Sequence, residues 1–265
     1  MIFSLTWLPA VLGQAGLKVA PVDGWESRGR AEMGAPVGVI CHHTAGPRAG
    51  NMPSLKTLID GRPDLPGPLA QLGLGRDGTY YIIAAGRCNH AGVGAWQGFT
   101  DGNGRFIGIE AENTGLPDDS PWPAIQLEAY QRGVAAILTH LGQPAICCAG
   151  HKEYALPAGR KTDPPFDMEA FRRSVAGFMD GSIMPPPPIP AAEPPAPSGD
   201  AGRPTLRRGS TGNAVRALQT ALGITPADGI FGGGTEAAVR TFQRAKSMVP
   251  DGIVGPNTWA VLPAA

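Results

Sequence analysis

Apolar and polar positions along this chain repeat with two periods, and each period predicts its own elements. Leu5, Leu8, Val11 and Leu12 keep helical spacing within Met1 to Ala20, which predicts a short amphipathic helix packed on the body of the protein. Trp25 to Ala35 is rich in Gly, Arg and Glu and reads as a loop or arm. Val37-Gly38-Val39-Ile40-Cys41 predicts a buried strand whose end carries His42-His43-Thr44-Ala45-Gly46. Pro53 to Asp60 predicts a short helix with Ser54 as a cap, and Gly75-Arg76-Asp77-Gly78 a tight turn feeding a strand over Thr79 to Ala84. Asn89-His90-Ala91-Gly92 and the loop Trp96 to Asn103 suit a groove wall or an ordinary surface loop. From Arg105 to Glu112 the pattern alternates, with Ile107 and Ile109 on a core face and Glu110 and Glu112 on an acidic one.

A long helix follows, its apolar stripe made by Leu127, Tyr130, Val134, Ile137, Leu138 and Leu141 and ended by Gly142 and Pro144. Ile146 to Ala149 predicts another buried strand, delivering Gly150-His151, and Phe171, Val175 and Phe178 mark a last helix capped by Asp167. Strands alternating with helices indicate an α/β domain, a mixed β-sheet flanked by helices. The domain runs over 37–180, with an N-terminal helix and arm over 1–36. Residues 181–203 are too proline-rich to build a core and predict an extended linker, roughly 60 Å long at about 3.1 Å per residue. Over 204–265 the pattern D-G-I-x-G-x-x-T occurs twice, from Asp228 and from Asp251, each time as a glycine-shaped turn entering a helix. With Val215, Leu218 and Leu222 on one helix and Val239 and Phe242 on the next, this tail reads as a small three-helix module, with a core better suited to binding than to chemistry.

Composition narrows the partners. Lys and Arg together number 22, balanced by 22 Asp and Glu, and the charge is spread out, so neither nucleic acid nor an anionic membrane is the expected partner. Met1 to Ala20 lacks a basic leader and is interrupted by Pro9, Gln14 and Lys18, so we expect no signal peptide, no membrane span and synthesis in the cytoplasm. Cys41, Cys88, Cys147 and Cys148 show no Cys-x-x-Cys spacing and are expected as free thiols. Cys41 as a metal ligand beside His42 is disfavoured because neighbours on a strand face opposite sides.

The candidate chemistry gathers around Gly150-His151-Lys152-Glu153 and Gly159-Arg160-Lys161-Thr162-Asp163-Pro164. Pro164 biases Asp163 toward extended backbone, so Lys161 and Asp163 point the same way. A catalytic zinc takes three protein ligands and keeps a fourth position open. His42, His151 and Asp163 are one such set by residue type, although spacing leaves His43 as a rival to His42 and Glu112 as a rival to Glu110.

The motifs His42-His43-Thr44-Ala45, Ile107-Gly108-Ile109-Glu110, Gly150-His151 and Arg160-Lys161-Thr162-Asp163-Pro164 together resemble the zinc-dependent N-acetylmuramoyl-L-alanine amidase family, which includes phage lysozyme-type amidases and peptidoglycan recognition proteins. The tail resembles a three-helix peptidoglycan-binding domain. The resemblance implies Zn2+ held by His42, His151 and Asp163, with Glu110 as general base and acid and Lys161 as stabiliser of the reacting carbonyl. His90 is a candidate for substrate binding. The implied protein is a monomeric peptidoglycan hydrolase of phage or prophage origin, an endolysin made in the host cytoplasm and acting on the bacterial cell wall. A cytosolic muropeptide-recycling amidase and a non-catalytic recognition protein are the alternatives.

Overall fold

The computed structural model describes residues 2–184, 203–246, 248 and 252–263, in two units, Met1–Pro188 and Ile189–Ala265. Positions 185–202 of the expected linker, and Asp251 of the second glycine turn, lie outside the described residues.

In the first unit a 3-10 turn, Ser4–Trp7, leads into α1 (Leu8–Gln14). The chain continues through β1 (Lys18–Pro21), β2 (Gly38–His43), α2 (Leu55–Asp60), the short pair β3 (Gly61–Arg62) and β4 (Leu65–Pro66), β5 (Leu72–Leu74) and β6 (Thr79–Ile82). It closes with α3 (Gly102–Arg105), β7 (Phe106–Ala111), α4 (Ala124–Leu141), β8 (Cys148–Gly150), α5 (His151–Tyr154) and α6 (Met168–Asp180). Six strands form one sheet in the order β1-β6-β5-β7-β2-β8, antiparallel at β5–β6 and parallel elsewhere. This is the mixed sheet with flanking helices that the alternation of elements predicts.

Alternation along the strands divides the sheet into two sides. Val39, Cys41, Ile107, Ile109 and Cys148 face a core filled by Leu8 and Leu12 of α1, Tyr130, Val134 and Leu138 of α4, and Phe171 and Val175 of α6. Ile40, Phe106 and Ala149 face the other side, with Ala91 and Tyr154. His42 and Glu110 share the parity of Ile40 and Phe106, so they emerge on this second side, directly paired in the β2–β7 register. Two helix ends agree with their sequence signals. Gly142 takes the left-handed conformation after α4, and the Asp167 side chain accepts from the Glu169 and Ala170 amides at the start of α6.

Three expected elements need correction, and one strand carries no signal in the sequence. The helical pattern near the start stops at Gln14, and Lys18–Pro21 forms an edge strand paired with β6. The central strand β5 has only three residues, too few for a period to appear. The strand expected over Ile146 to Ala149 is shifted, because Ala145–Cys147 makes a 3-10 turn and pairing begins at Cys148. Ser54 stands at the cap position of α2 but does not cap it, since its hydroxyl donates to Glu112 at 2.9 Å.

Glu112 also overturns the acidic face. It is fully buried rather than solvated, and its carboxylate accepts from the Thr44 hydroxyl at 2.7 Å, the Ser54 hydroxyl and the Ser54 amide at 3.0 Å. It therefore ties the segment that leaves β2 to the end of β7. A Cβ at Gly46 would sit 2.0 Å from the Ser54 hydroxyl oxygen and 2.3 Å from a Glu112 oxygen, so only glycine lets the chain pass.

The second unit holds α7 (Asn213–Ala221), α8 (Gly233–Ala245) and α9 (Pro256–Val261) around Leu206, Val215, Leu218, Phe231, Val239, Val254 and Trp259. Its two glycine turns are built alike. Gln219 accepts from the Gly229 amide at 2.8 Å and donates to the Ile230 carbonyl and the Thr235 hydroxyl. Gln243 accepts from the Gly252 amide at 2.9 Å and donates to the Ile253 carbonyl and the Thr258 hydroxyl. Both glycines have φ of +75°, which an L side chain rarely adopts. Among the described residues no helix is long and apolar enough to cross a membrane.

Two substitutions test these buried polar anchors. Glu112→Gln removes one of its acceptors and should lower unfolding stability by about 1–3 kcal/mol, with faster amide exchange at Ser54. Gln219→Ala strands the Gly229 amide and should cost about the same, read as an earlier transition of the second unit in denaturant unfolding of the whole chain.

Candidate active site

Three parallel strands end side by side, where ligand sites of open α/β sheets form. His42 stands one residue before the end of β2, Glu110 one before the end of β7, and His151 begins α5 directly after β8. Asp163 comes from the loop that precedes α6, and the Lys152 amide, donating to the Asp163 carbonyl at 2.7 Å, fastens that loop to α5.

The structure brings together the three residues expected to hold a metal. His42 Nδ1 lies 3.0 Å from His151 Nδ1 and 3.2 Å from Asp163 Oδ2, and His151 Nδ1 lies 3.1 Å from that same oxygen. Both histidines are buried, and burial, outweighing Asp163, pushes the His42 imidazole down to about 4, so that ring is neutral near pH 7. The outer nitrogens are engaged: His151 Nε2 lies 3.0 Å from the Ala91 carbonyl and His42 Nε2 lies 3.1 Å from His90 Nδ1. A carbonyl can only accept, so His151 carries its proton on Nε2 and turns a lone pair inward. Two imidazole lone pairs and a carboxylate oxygen at such separations fit a cation, and these donor types suit zinc.

Glu110, Lys161 and Asp163 line a pocket of about 280 Å³ beside the three donor atoms, with His43, Thr44, Arg62, Leu65 and Leu69 in its walls. One Glu110 oxygen is buried without a hydrogen-bond partner. Burial first, and the charge of Asp163 second, push its carboxyl up to about 8, against the opposing influence of Lys161. Lys161 makes no ion pair among the described residues. A larger hollow of about 450 Å³ lies between α1, α4 and α6. There Arg132 is tied to Glu128 and the Ala15 carbonyl, and His140 stacks on Trp7.

The rival residues fall elsewhere. His43 lines the pocket wall with its ring near Gly115, outside the three-atom cluster. Cys41 points into the opposite core, its sulfur 3.5 Å from that of Cys148, and all four cysteines are free thiols. His90 reaches the pocket but is buried, and it contacts His42 rather than standing open in the groove. Tyr130 supports the site from the far side of the sheet. Its hydroxyl accepts from the His42 amide at 2.9 Å and donates to the Ile109 carbonyl at 2.9 Å, bracing the strand end that carries His42. In the sequence it is one more member of an apolar stripe, and nothing there separates it from an ordinary core aromatic.

Comparison with known proteins gives two domain matches. The N-acetylmuramoyl-L-alanine amidase family matches residues 32–165, and a peptidoglycan binding domain matches residues 211–262. A Kitasatospora aureofaciens protein described as an uncharacterized protein in the bpoA1 3' region is 48% identical over 65 residues, 22% of this chain and 55% of that one. The zinc D-Ala-D-Ala carboxypeptidase of Streptomyces albus G is 45% identical over 62 residues, 21% of this chain and 24% of that one. The chain thus spans about half and about a quarter of the lengths of these relatives. Among solved structures, a selenomethionine derivative of AmpD is 23% identical with a TM-score of 0.46, covering 66% of this chain and 99% of that one. Because the first domain match takes in just over half of its residues, the chain belongs to the N-acetylmuramoyl-L-alanine amidase family.

Proposed function

We propose that this chain is an endolysin-type peptidoglycan hydrolase that cuts the amide between N-acetylmuramic acid and L-alanine. The observation that carries this reading is the convergence of His42, His151 and Asp163 on one point, beside a pocket that also holds Glu110 and Lys161. In this reading the first unit is catalytic, the second holds the enzyme on the wall, and the residues between them are a linker. A wall-binding domain has little use on soluble fragments, which favours action on intact wall over recycling. Tethering raises the local concentration of substrate.

His42, His151 and Asp163 would hold zinc, which when bound supplies Lewis acidity and a more acidic water. The chain's own residues handle protons and charge. Glu110 takes a proton from the attacking water as the oxygen–carbon bond forms, then gives it to the alanine nitrogen as the carbon–nitrogen bond breaks. Its carboxyl, pushed up to about 8, is near neutrality, where one group can both accept and return a proton. Lys161, which lines the same pocket, offsets negative charge growing on the carbonyl oxygen.

Mass spectrometry of digested sacculi tests the bond and the roles together. Zinc-dependent release of peptides with a free L-alanine amino end is expected, and cleaved glycan or cross-links would show a different reaction. Glu110→Gln should lower kcat by about 10²- to 10⁴-fold while zinc stays bound at one per chain. Asp163→Ala should lose zinc and activity together. Ending the chain at residue 184 should reduce sedimentation with sacculi while sparing cleavage of a soluble muropeptide.

A further inference from the structure

The segment His90-Ala91 holds the outer nitrogens of both histidines in the three-atom cluster. From the contacts around it we infer that Asn103 is a positioning residue that sets the tautomers of His42 and His151 together. The inference rests on the metal-binding reading above.

The hydrogen bonds form a chain whose directions are fixed from its far end. His90 Nε2 lies 3.2 Å from the Phe106 carbonyl, which can only accept, so that nitrogen carries the proton. An imidazole with one ring proton donates through one nitrogen and accepts through the other, so with Nε2 donating to the Phe106 carbonyl the His90 Nδ1 is an acceptor. His42 Nε2, 3.1 Å from that acceptor, must then be the donor. His42 is therefore protonated on Nε2 and offers the Nδ1 lone pair inward, as His151 does through the Ala91 carbonyl at 3.0 Å. Two successive residues thus fix both rings in one tautomer, by a side chain at His90 and by a backbone oxygen at Ala91.

What keeps the two residues in place is Asn103. Its Oδ1 accepts from the His90 amide at 2.9 Å and from the Ala91 amide at 2.8 Å. Rotating either peptide would break one of these bonds and carry away either the His90 ring or the Ala91 carbonyl. The His90 ring has a second constraint behind it. A Cβ on Gly108 would lie 2.7 Å from His90 Cγ and 2.8 Å from its Nδ1, so the ring can pack there only against glycine. Asn103 thus serves both histidines, and Gly108 serves only the His42 arm. Neither residue touches the cluster or lines the pocket.

Groups that orient a metal-binding histidine through its outer nitrogen typically contribute 10- to 100-fold in metal affinity. Zinc dissociation constants, measured by chelator competition on the full chain, should therefore rise about 10- to 100-fold in Asn103→Ala. Asn103→Asp, which keeps an oxygen acceptor for both amides, should stay within about threefold of the parent on the same scale. Long-range 1H–15N spectra of the imidazoles give a readout independent of zinc. In the parent, Nε2 of His42 and His151 should carry slowly exchanging protons, with or without metal. Asn103→Ala should lose both protected signals, whereas Gly108→Ala should lose that of His42 and keep that of His151. Parent-like zinc affinity and signals in a folded Asn103→Ala, or an equal loss in Asn103→Asp, would overturn the inference, as would Nδ1 protonation of either ring in the zinc-loaded parent. A parent with these tautomers but no zinc affinity would leave the positioning role standing and overturn the metal-binding reading instead.

Discussion

The atoms His42 Nδ1, His151 Nδ1 and Asp163 Oδ2 are held within 3.0–3.2 Å of one another in a mostly buried place, and the rest of the structure depends on keeping them there. A flexible chain would let one ring turn outward. Here each donor is held by backbone that cannot turn. His42 lies inside a strand paired with β7, His151 follows the last paired residue of β8, and Asp163 is fastened through its own carbonyl to the Lys152 amide. On the reading proposed above, a metal would find its ligands in place and lose less to their ordering.

The same arrangement explains why the sheet is buried on both sides. Tyr130 comes from α4 on the far side of the sheet, yet its hydroxyl reaches the ladder between β2 and β7 where His42 sits. The helix layer thereby braces the strand end, while the opposite side carries the pocket. Glu112, two residues beyond Glu110, serves an unrelated purpose. It gathers Thr44 and Ser54 so that the segment leaving β2 is tied down beside the pocket. One strand end therefore carries two carboxylates with different surroundings: Glu112 has its hydrogen-bond partners, whereas Glu110 has an oxygen with none. An unpartnered buried oxygen is costly for stability, and the chain keeps it at the pocket that His151 and Asp163 also line.

Much of this was legible in the sequence because long periodic stretches carry their own evidence. The stripe from Leu127 to Leu141, the alternation through Ile107 and Ile109, and the Asp167 cap each depend on neighbours close in the chain, and each appears in the structure as its pattern requires. The parts that were not legible depend on distant partners. β5 has three residues and gains its identity from β6 and β7 on either side. Glu112 alternates like a solvated residue, and only the return of Thr44 and Ser54 makes its burial tolerable. The site shows the same division. The histidines and Asp163 belong to compact motifs, whereas Tyr130 and Asn103 act through contacts that cross most of the domain or bridge a loop, and neither residue type at its position gives a local sign of that.

The second unit meets a different constraint, the shortage of core in a small helical module. Its turns cannot be held by burial alone, so each is held by a buried glutamine that satisfies the turn amide and carbonyl at once. Repeating the device gives two tight turns with isoleucines, Ile230 and Ile253, left at the surface, 55% and 39% exposed. Polar anchoring of this kind spends the interior on shape and leaves apolar groups outside. Such a trade suits a surface that adheres to a polymer better than a site that must exclude water, and it matches the division of labour proposed for the two units.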